Sequence, residues 1–158
     1  MRQLKLPAVF MRGGTSNAIV FKAQDLPSDQ ALWPEVFRAA MGSPDPFGRQ
    51  LNGMGGGISS LSKICVVAPS SRPDADIDYT FAQVGVRTDS VGFASNCGNM
   101  STAMGPFAVD EGLVASSEHS ATVRIYNTNT DKVIVSQFSV EDGLAAVDGD
   151  YVMPGVAD

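Results

Sequence analysis

Several features that mark other classes of protein are scarce or missing in this sequence of 158 residues. No apolar run approaches the length of a membrane-spanning helix, and the first residues lack the apolar region and cleavage site of a signal peptide. Lysine and arginine are scattered, and the formal net charge is −6, so the basic surface typical of nucleic-acid-binding proteins is missing. We therefore expect neither a membrane nor a nucleic acid as a partner.

Residues that bind metals or form disulfides are also few. The chain has one histidine, His119, and two cysteines, Cys65 and Cys97, which lie in dissimilar surroundings. These three residues lack the spacing of a metal site, and two such different cysteines do not suggest a disulfide framework. We expect no bound metal and a reducing, cytoplasmic location.

The residues that are present indicate one globular domain of the α+β class. Apolar residues make up 44% of the chain, an ordinary share for a protein with a hydrophobic core. Helical spacing predicts a helix over 31–41, with Pro34 near its start and Gly42 at its end, and a second helix over 98–110. Alternating apolar patterns predict three hairpins, formed by residues 8–11 with 18–21, 62–68 with 77–86, and 121–127 with 132–140. Because the second helix is almost entirely apolar or small, we expect it to be buried inside a mostly antiparallel sheet.

Cys97 is the most informative single residue. It is flanked by small and polar residues from Ser95 to Ser101 and stands directly before the predicted buried helix. Unpaired backbone N–H groups and the positive end of the helix dipole favour a thiolate there, which can act as a base or nucleophile. The alternative is a buried structural cysteine, the usual fate of a lone thiol. Cys65 lies in an apolar strand-like run, where we expect inert filling.

Lys63 and two glycine-rich turns form a second group of candidates. Lys63 follows the glycine-rich segment 53–60 and opens an apolar strand, where it is either a solvated strand-end lysine or a group that binds a carboxylate and exchanges protons. The turn 13–16 and the segment 55–60 place backbone N–H groups beside hydroxyls, an arrangement that binds anions or simply makes turns. Neither glycine segment fits a nucleotide-binding fingerprint, which excludes a phosphate-loop nucleoside triphosphatase.

Four motifs in order along the chain resemble the PrpF family. They are residues 11–16 (MRGGTS), 52–63 (NGMGGGISSLSK), 78–84 (DYTFAQV) and 96–101 (NCGNMS). The resemblance implies a diaminopimelate epimerase-like fold, in which two similar domains each wrap a barrel-like sheet around a central helix and the active site lies between them. It also implies that residues 1–158 form the N-terminal domain of a two-domain isomerase, and that the second domain is absent from this chain.

The same resemblance implies the chemistry. The family's catalytic lysine and cysteine match Lys63 and Cys97, and we do not expect either side chain to be part of the core. They would move a proton within a small unsaturated di- or tricarboxylate, such as 2-methylaconitate or 4-oxalomesaconate, without a cofactor. The sequence leaves open which of the two is the acid and which the base. The expected substrate-binding donors are Arg12, Thr15, Ser16, Ser59, Ser60, Asn96, Gly98, Asn99 and Ser101.

Three other hypotheses remain at this stage. An amino-acid racemase or epimerase on the same fold would need a second thiol in the other domain. A non-catalytic fragment would pair with a second chain or with itself, most simply as a symmetric homodimer, because deleting one wall of a cleft exposes the other. A thiol hydrolase would need a dyad of Cys97 with His119, which lies in a segment that reads as an exposed loop. We expect the isolated chain to have little isomerase activity.

Overall fold

A computed structural model describes residues 3–149, 151, 152 and 154. The eight strands are β1 (Val9–Gly13), β2 (Ser16–Lys22), β3 (Lys63–Pro69), β4 (Ile77–Val84), β5 (Val91–Gly92), β6 (Ser120–Asn127), β7 (Lys132–Glu141) and β8 (Leu144–Ala145). The two α-helices are α1 (Trp33–Met41) and α2 (Gly98–Asp110), and short 3-10 turns cover Ala23–Asp25, Gln30–Leu32 and Ser59–Leu61. The three expected hairpins and both helices are confirmed, and β5 and β8 are short additions.

The strands form one mixed sheet in the order β1-β2-β3-β4-β6-β7-β8, with β5 paired to the end of β4. The three hairpin pairs are antiparallel, whereas β2 with β3 and β4 with β6 are parallel. Each parallel pair is joined by a long crossover that carries one of the helices, as parallel pairing requires. Helix α2 contacts strands from β1 at one edge to β8 at the other, so the sheet curls around it. A mostly antiparallel, barrel-like sheet around a central helix is therefore confirmed.

Each face of the sheet carries its own apolar core. Alternate residues of a strand point to opposite faces. On the inner face, side chains such as Val20, Cys65 and Tyr79 pack with Met104 and Phe107 of α2. On the outer face, the intervening strand residues pack with Trp33, Phe37 and Met41 of α1. These strand residues are Ile19, Phe21, Ile64, Val66, Ala82 and Val84.

The ends of α1 follow from two residues. Pro34 occupies the first turn, where its missing N–H has no helical partner to lose. Gly42 ends the helix in the left-handed conformation with φ 76°, which glycine adopts without steric cost. Val36 and Ala40 share the apolar face but are only half-buried. Among the residues that the structure describes, no helix is long and apolar enough to cross a membrane.

The strand directions bring five chain segments to one edge of the sheet. Strands β1, β4 and β6 run toward this edge, and β2, β3 and β7 run away from it. Strand β6 ends beside Tyr79, and the turn that follows it reaches Phe81 and Phe93. Helix α2 also begins at this edge, as shown by the contact of its first residues with the turn between β1 and β2. We call this edge the upper edge. It collects the catalytic and substrate-binding residues that the resemblance implies.

Candidate active site

Cys97 occupies the N-cap position of α2. Its backbone is extended, with φ −112° and ψ 106°, and its side chain makes no capping hydrogen bond. The Cys97 carbonyl accepts hydrogen bonds from both the backbone N–H and the hydroxyl of Ser101, each at 3.0 Å. The side chain is half-buried and packs against the inner core. The thiol is therefore held at the start of a helix without being used as its cap, and it stays available for chemistry.

The turn between β1 and β2 fits directly onto the first residues of α2. A Cβ on Gly13 would overlap the carbonyl oxygen of Asn99, and Gly14 has φ 53° with the Asn99 side chain against its Cα. Only glycine permits this approach at both positions. The Asn99 amide donates to the Thr15 hydroxyl at 3.0 Å and to the Ser16 hydroxyl at 3.5 Å. Two of the expected donor segments are thereby joined through Asn99.

Lys63 is buried, with 8% of its surface exposed, so the expectation that it lies outside the core is wrong, as is the solvated strand-end alternative. Its Nζ donates to Gln83 Oε1 at 2.9 Å and lies 5.1 Å from the centre of the Phe81 ring. Lys63 shares the inner face with Cys65 because the two are separated by two positions along β3. An ammonium enclosed by an amide oxygen and an aromatic face is a partly desolvated charge aimed at the interior of the curled sheet.

Gln83 and Gln50 hold the glycine-rich segment that precedes Lys63. The Gln83 amide nitrogen donates to the carbonyls of Ser59 and Ser62 at 3.0 and 2.9 Å. Gln50 is fully enclosed, donates to the hydroxyl of Ser62 at 2.7 Å and accepts from the Gly57 N–H at 2.9 Å. Neither glutamine was predicted, because a lone glutamine in a loop or on a strand carries no pattern that separates it from a surface residue.

Cys65 lies close to both candidate catalytic groups. Burial raises the pKa of its thiol to about 12, with the charges of Cys97 and Lys63 acting in opposite directions on it. The Tyr79 hydroxyl lies 3.8 Å from Cys65 Sγ, and burial raises the pKa of Tyr79 above its usual range. The expected inert character of Cys65 is in keeping with this burial. Cys97 packs against the inner core, and Lys63 Nζ lies over the ring of Phe81 in the same core, so the two groups share one region beneath the upper edge.

We expect Cys97 to react with iodoacetamide near pH 7 at least about a hundredfold faster than Cys65. Burial and a pKa near 12 lower the thiolate population of Cys65 by on the order of a thousandfold relative to an ordinary thiol, and only the thiolate reacts. Peptide mapping after brief alkylation of the folded protein measures both rates, and the unfolded protein serves as the control in which they converge. Equal labelling in the folded state would contradict the assignment.

Four polar residues surround the segment that leads into Cys97. Asn96 and Ser101 are hydrogen-bonded to each other at 3.2–3.3 Å, and the Asn127 amide donates to Asn96 at 3.3 Å. Asn129 donates to the carbonyl of Phe93 at 2.6 Å. From the sequence, residues 128–131 are only the connection between two predicted strands. An excess of asparagine and threonine after β6 was the one available signal, and it is equally common in ordinary turns.

A cavity of about 450 Å³ lies between the first turn of α2 and β7, and its lining includes Asn96, Gly98 and Ser101. Arg12, Thr15 and Ser59 are exposed at the same edge but are not part of this lining. Ser60 is half-buried and Ser16 is buried. The structure thus collects the expected donors at one edge, with three of them around one open cavity.

His119 lies at the opposite edge, because it directly precedes the start of β6, whose other end reaches the upper edge. It is exposed, and its carbonyl accepts from the Val140 N–H. The hypothesis of a Cys97–His119 dyad is therefore wrong. Within the described part of the chain, no three histidine, cysteine, aspartate or glutamate side chains are grouped as metal ligands.

Comparison with known proteins gives one family and several relatives. The family model described as PrpF protein matches residues 3–158. The chain is 46% identical to the 3-methylitaconate isomerase of Eubacterium barkeri over 98% of its own length and 40% of that protein. It is 44% identical to the 4-oxalomesaconate tautomerase of Pseudomonas putida, over 99% of its own length and 43% of that protein. The chain thus spans about two fifths of the length of these relatives.

Solved structures agree with the observed fold. A crystal structure of methylitaconate-delta-isomerase superposes with a TM-score of 0.93 at 46% identity, over 97% of this chain and 39% of that one. A probable proline racemase from Agrobacterium radiobacter K84 superposes with a TM-score of 0.54 at 14% identity, over 88% of this chain and 39% of that one. The second likeness concerns the fold alone and supports the expected epimerase-like architecture.

Proposed function

This chain belongs to the PrpF family, and we propose that it supplies the catalytic lysine and cysteine of an isomerase that moves a proton within a small unsaturated di- or tricarboxylate. Relatives that are 46% and 44% identical over the aligned positions are named for 3-methylitaconate and 4-oxalomesaconate. The observation that carries the proposal is that the half-buried Cys97 side chain and the buried Lys63 side chain meet the same inner core: Cys97 packs against it, and Lys63 Nζ lies over its Phe81 ring.

The proposed reaction is a proton shift that needs no oxidant or reductant. A base removes a proton from the carbon next to the double bond, and the C–H electron pair delocalises into the neighbouring carboxylate or carbonyl. An acid then returns a proton to a different carbon, or to the same carbon after rotation, so the double bond moves or changes geometry. Lys63 and Cys97 divide these two roles, and each must return to its starting protonation state after one turnover.

Donors at the upper edge are suited to the charge that develops on the substrate. The first N–H groups of α2 have no helical acceptors and carry the positive end of the helix dipole. The side chains of Asn99, Thr15 and Ser16 form a connected polar surface beside them. Arg12 adds an exposed guanidinium on β1, and Ser59, Ser60, Asn96, Gly98 and Ser101 complete the proposed binding set. Fixed donors of this kind stabilise an enolate more than they stabilise the ground state.

The proposal includes the place of this chain in the whole protein. We assign residues 1–158 as the N-terminal domain of a two-domain enzyme, in which the substrate is enclosed between this domain and the second domain. The open cavity at the start of α2 and the coverage of about two fifths of each relative support this assignment. A cytoplasmic location, where both free cysteines remain reduced, belongs to the same proposal.

The chain on its own is expected to self-associate, most simply as a symmetric dimer. Segment 45–58, which leads into Ser59, exposes four large apolar side chains: Phe47 at 81%, Leu51 at 70%, Met54 at 52% and Ile58 at 56%. Several large apolar side chains exposed on one segment favour association with another protein surface. Sedimentation over a range of micromolar concentrations measures the mass, and the variant with Phe47→Ser and Leu51→Ser is expected to shift it toward monomer. A wild-type chain that remains monomeric throughout would contradict this expectation.

The function is tested with the protein expressed at its full coding length. Samples of 3-methylitaconate, 2-methylaconitate and 4-oxalomesaconate are incubated in D₂O, and proline is included for the racemase alternative. We expect isomerisation of at least one unsaturated acid with deuterium at the carbon that receives the proton. Deuterium exchange in proline alone would favour the racemase, and no exchange in any of the four would overturn the proposed chemistry.

A further inference from the structure

Asn129, in the turn between β6 and β7, makes three hydrogen bonds with backbone groups of two other segments. Its amide nitrogen donates to the carbonyl of Phe81 at 2.9 Å and to the carbonyl of Phe93 at 2.6 Å. Its amide oxygen accepts from the N–H of Phe81 at 2.8 Å. The side chain therefore pairs with both backbone groups of Phe81, as a neighbouring strand would, and at the same time binds the segment that leads to Cys97.

The two segments that Asn129 joins carry the two proposed catalytic groups. The ring of Phe81 lies under Lys63 Nζ, at 5.1 Å from the ring centre. Phe93 stands four positions before Cys97, and no helix or strand is assigned to the residues between them. That connecting segment makes few backbone hydrogen bonds of the kind that join strands. Its position is therefore fixed by hydrogen bonds from side chains.

Asn127 also forms a hydrogen bond with the segment that leads to Cys97. It is fully buried, and its amide donates to Asn96 Oδ1 at 3.3 Å. Its oxygen accepts from the N–H and the hydroxyl of Thr130, at 3.0 and 2.7 Å, which also shapes the turn that presents Asn129. The turn is therefore built to place one amide between β4 and the approach to Cys97.

From this arrangement we propose that Asn129 is a positioning residue that fixes Cys97 relative to Lys63. The proposal deepens the proposed function and, in its catalytic consequence, rests on it. Asn129 does not touch the reacting atoms. It fixes the spacing between a strand whose aromatic ring supports the lysine and a segment that ends in the cysteine. A proton shift between two carbons needs both groups at set distances, and small misplacements of this kind cost large factors in rate.

Only an asparagine amide satisfies all three partners. Aspartate has nearly the same shape and keeps the acceptor for the Phe81 N–H, but it has no donor for the two carbonyls and sets a negative charge against both. Alanine removes all three bonds without adding a charge. The pair of variants Asn129→Asp and Asn129→Ala therefore separates loss of the donors from introduction of a charge. Gln24→Glu makes the same amide-to-acid change on an exposed side chain of a short 3-10 turn and serves as the matched control.

Amide hydrogen exchange and kinetics in the protein expressed at its full coding length test the proposal together. In both variants we expect unchanged amide protection in β2 and β3. We also expect kcat to fall about 10- to 100-fold while KM changes by less than about threefold, because the donors on α2 and the β1–β2 turn are untouched. The rate of Cys97 alkylation should change in the same variants, and Gln24→Glu should match the wild type in every measurement.

The exchange and alkylation measurements separate the failure of this proposal from the failure of the proposed function. If the wild type converts no substrate but the rate of Cys97 alkylation changes in both variants, the positioning role stands and the reaction assignment falls. An unchanged rate of Cys97 alkylation in both variants would overturn the positioning role whatever the kinetics. Loss of protection spread equally over β2 and β3 would also overturn it, because Asn129 would then simply stabilise the fold.

Discussion

Cys97→Ser is expected to lower turnover by about 10²–10⁴-fold and yet to leave the protein as stable as the wild type, or more stable. A serine hydroxyl is far too weak an acid to take the place of a thiol in a proton transfer near neutral pH. At the same time serine is among the preferred N-cap residues, and the Cys97 side chain makes no capping hydrogen bond. A serine there can accept from an orphan N–H of α2 and stabilise the helix by up to about 1 kcal/mol.

The opposite directions of the two effects make this variant decisive. Steady-state kinetics on the protein at its full coding length gives the turnover, and denaturant unfolding gives the stability. Cys65→Ala is the matched control, because it removes the other thiol from the inner core. It is expected to lower the free energy of unfolding by about 1 kcal/mol and to keep turnover within a few-fold of the wild type. A Cys97→Ser protein that retains more than a tenth of the wild-type turnover would refute the catalytic assignment of this thiol.

Local patterns in the sequence were sufficient for most of the fold. Alternation of apolar residues located the three hairpins, and the run of apolar and small residues located α2 as the buried helix. The parallel pairings of β2 with β3 and of β4 with β6 were not predicted. These pairings join strands separated by long crossovers, and no local pattern encodes which distant strand becomes the neighbour.

The reactive groups of the site could be predicted from the sequence more fully than the residues that position them. Cys97 stood out because its flanking residues are small and polar directly before an apolar helix. The burial of Lys63 was not foreseen, since the first residue of a strand is usually solvated, and only the long-range partner Gln83 and the ring of Phe81 enclose it here. Gln50 and Asn129 were missed for the same reason, because their roles depend on groups from other segments, the Ser62 hydroxyl for Gln50 and the Phe93 carbonyl for Asn129, rather than on their own sequence neighbours.

Lys63→Met is expected to lower turnover by at least about a hundredfold with only a small change in stability. Methionine matches the length and apolar stem of lysine, so the space between β3 and the ring of Phe81 stays filled. The change leaves Gln83 Oε1 without its donor, which costs about 1–3 kcal/mol, but it also removes a largely buried charge. These two contributions oppose each other. Denaturant unfolding reports the stability, and Lys5→Met, at an exposed lysine, is the control for both measurements.

Lys63→Arg then distinguishes a proton-transfer role from a purely electrostatic one. Arginine keeps the positive charge and can bind a carboxylate, but it does not lose its proton in proteins. If Lys63 exchanges a proton with the substrate carbon in each turnover, the arginine variant should be as inactive as the methionine variant while its KM stays near the wild-type value. Arginine activity within about tenfold of the wild type would assign Lys63 to substrate binding alone. The proton shift would then fall to Cys97, alone or with another group.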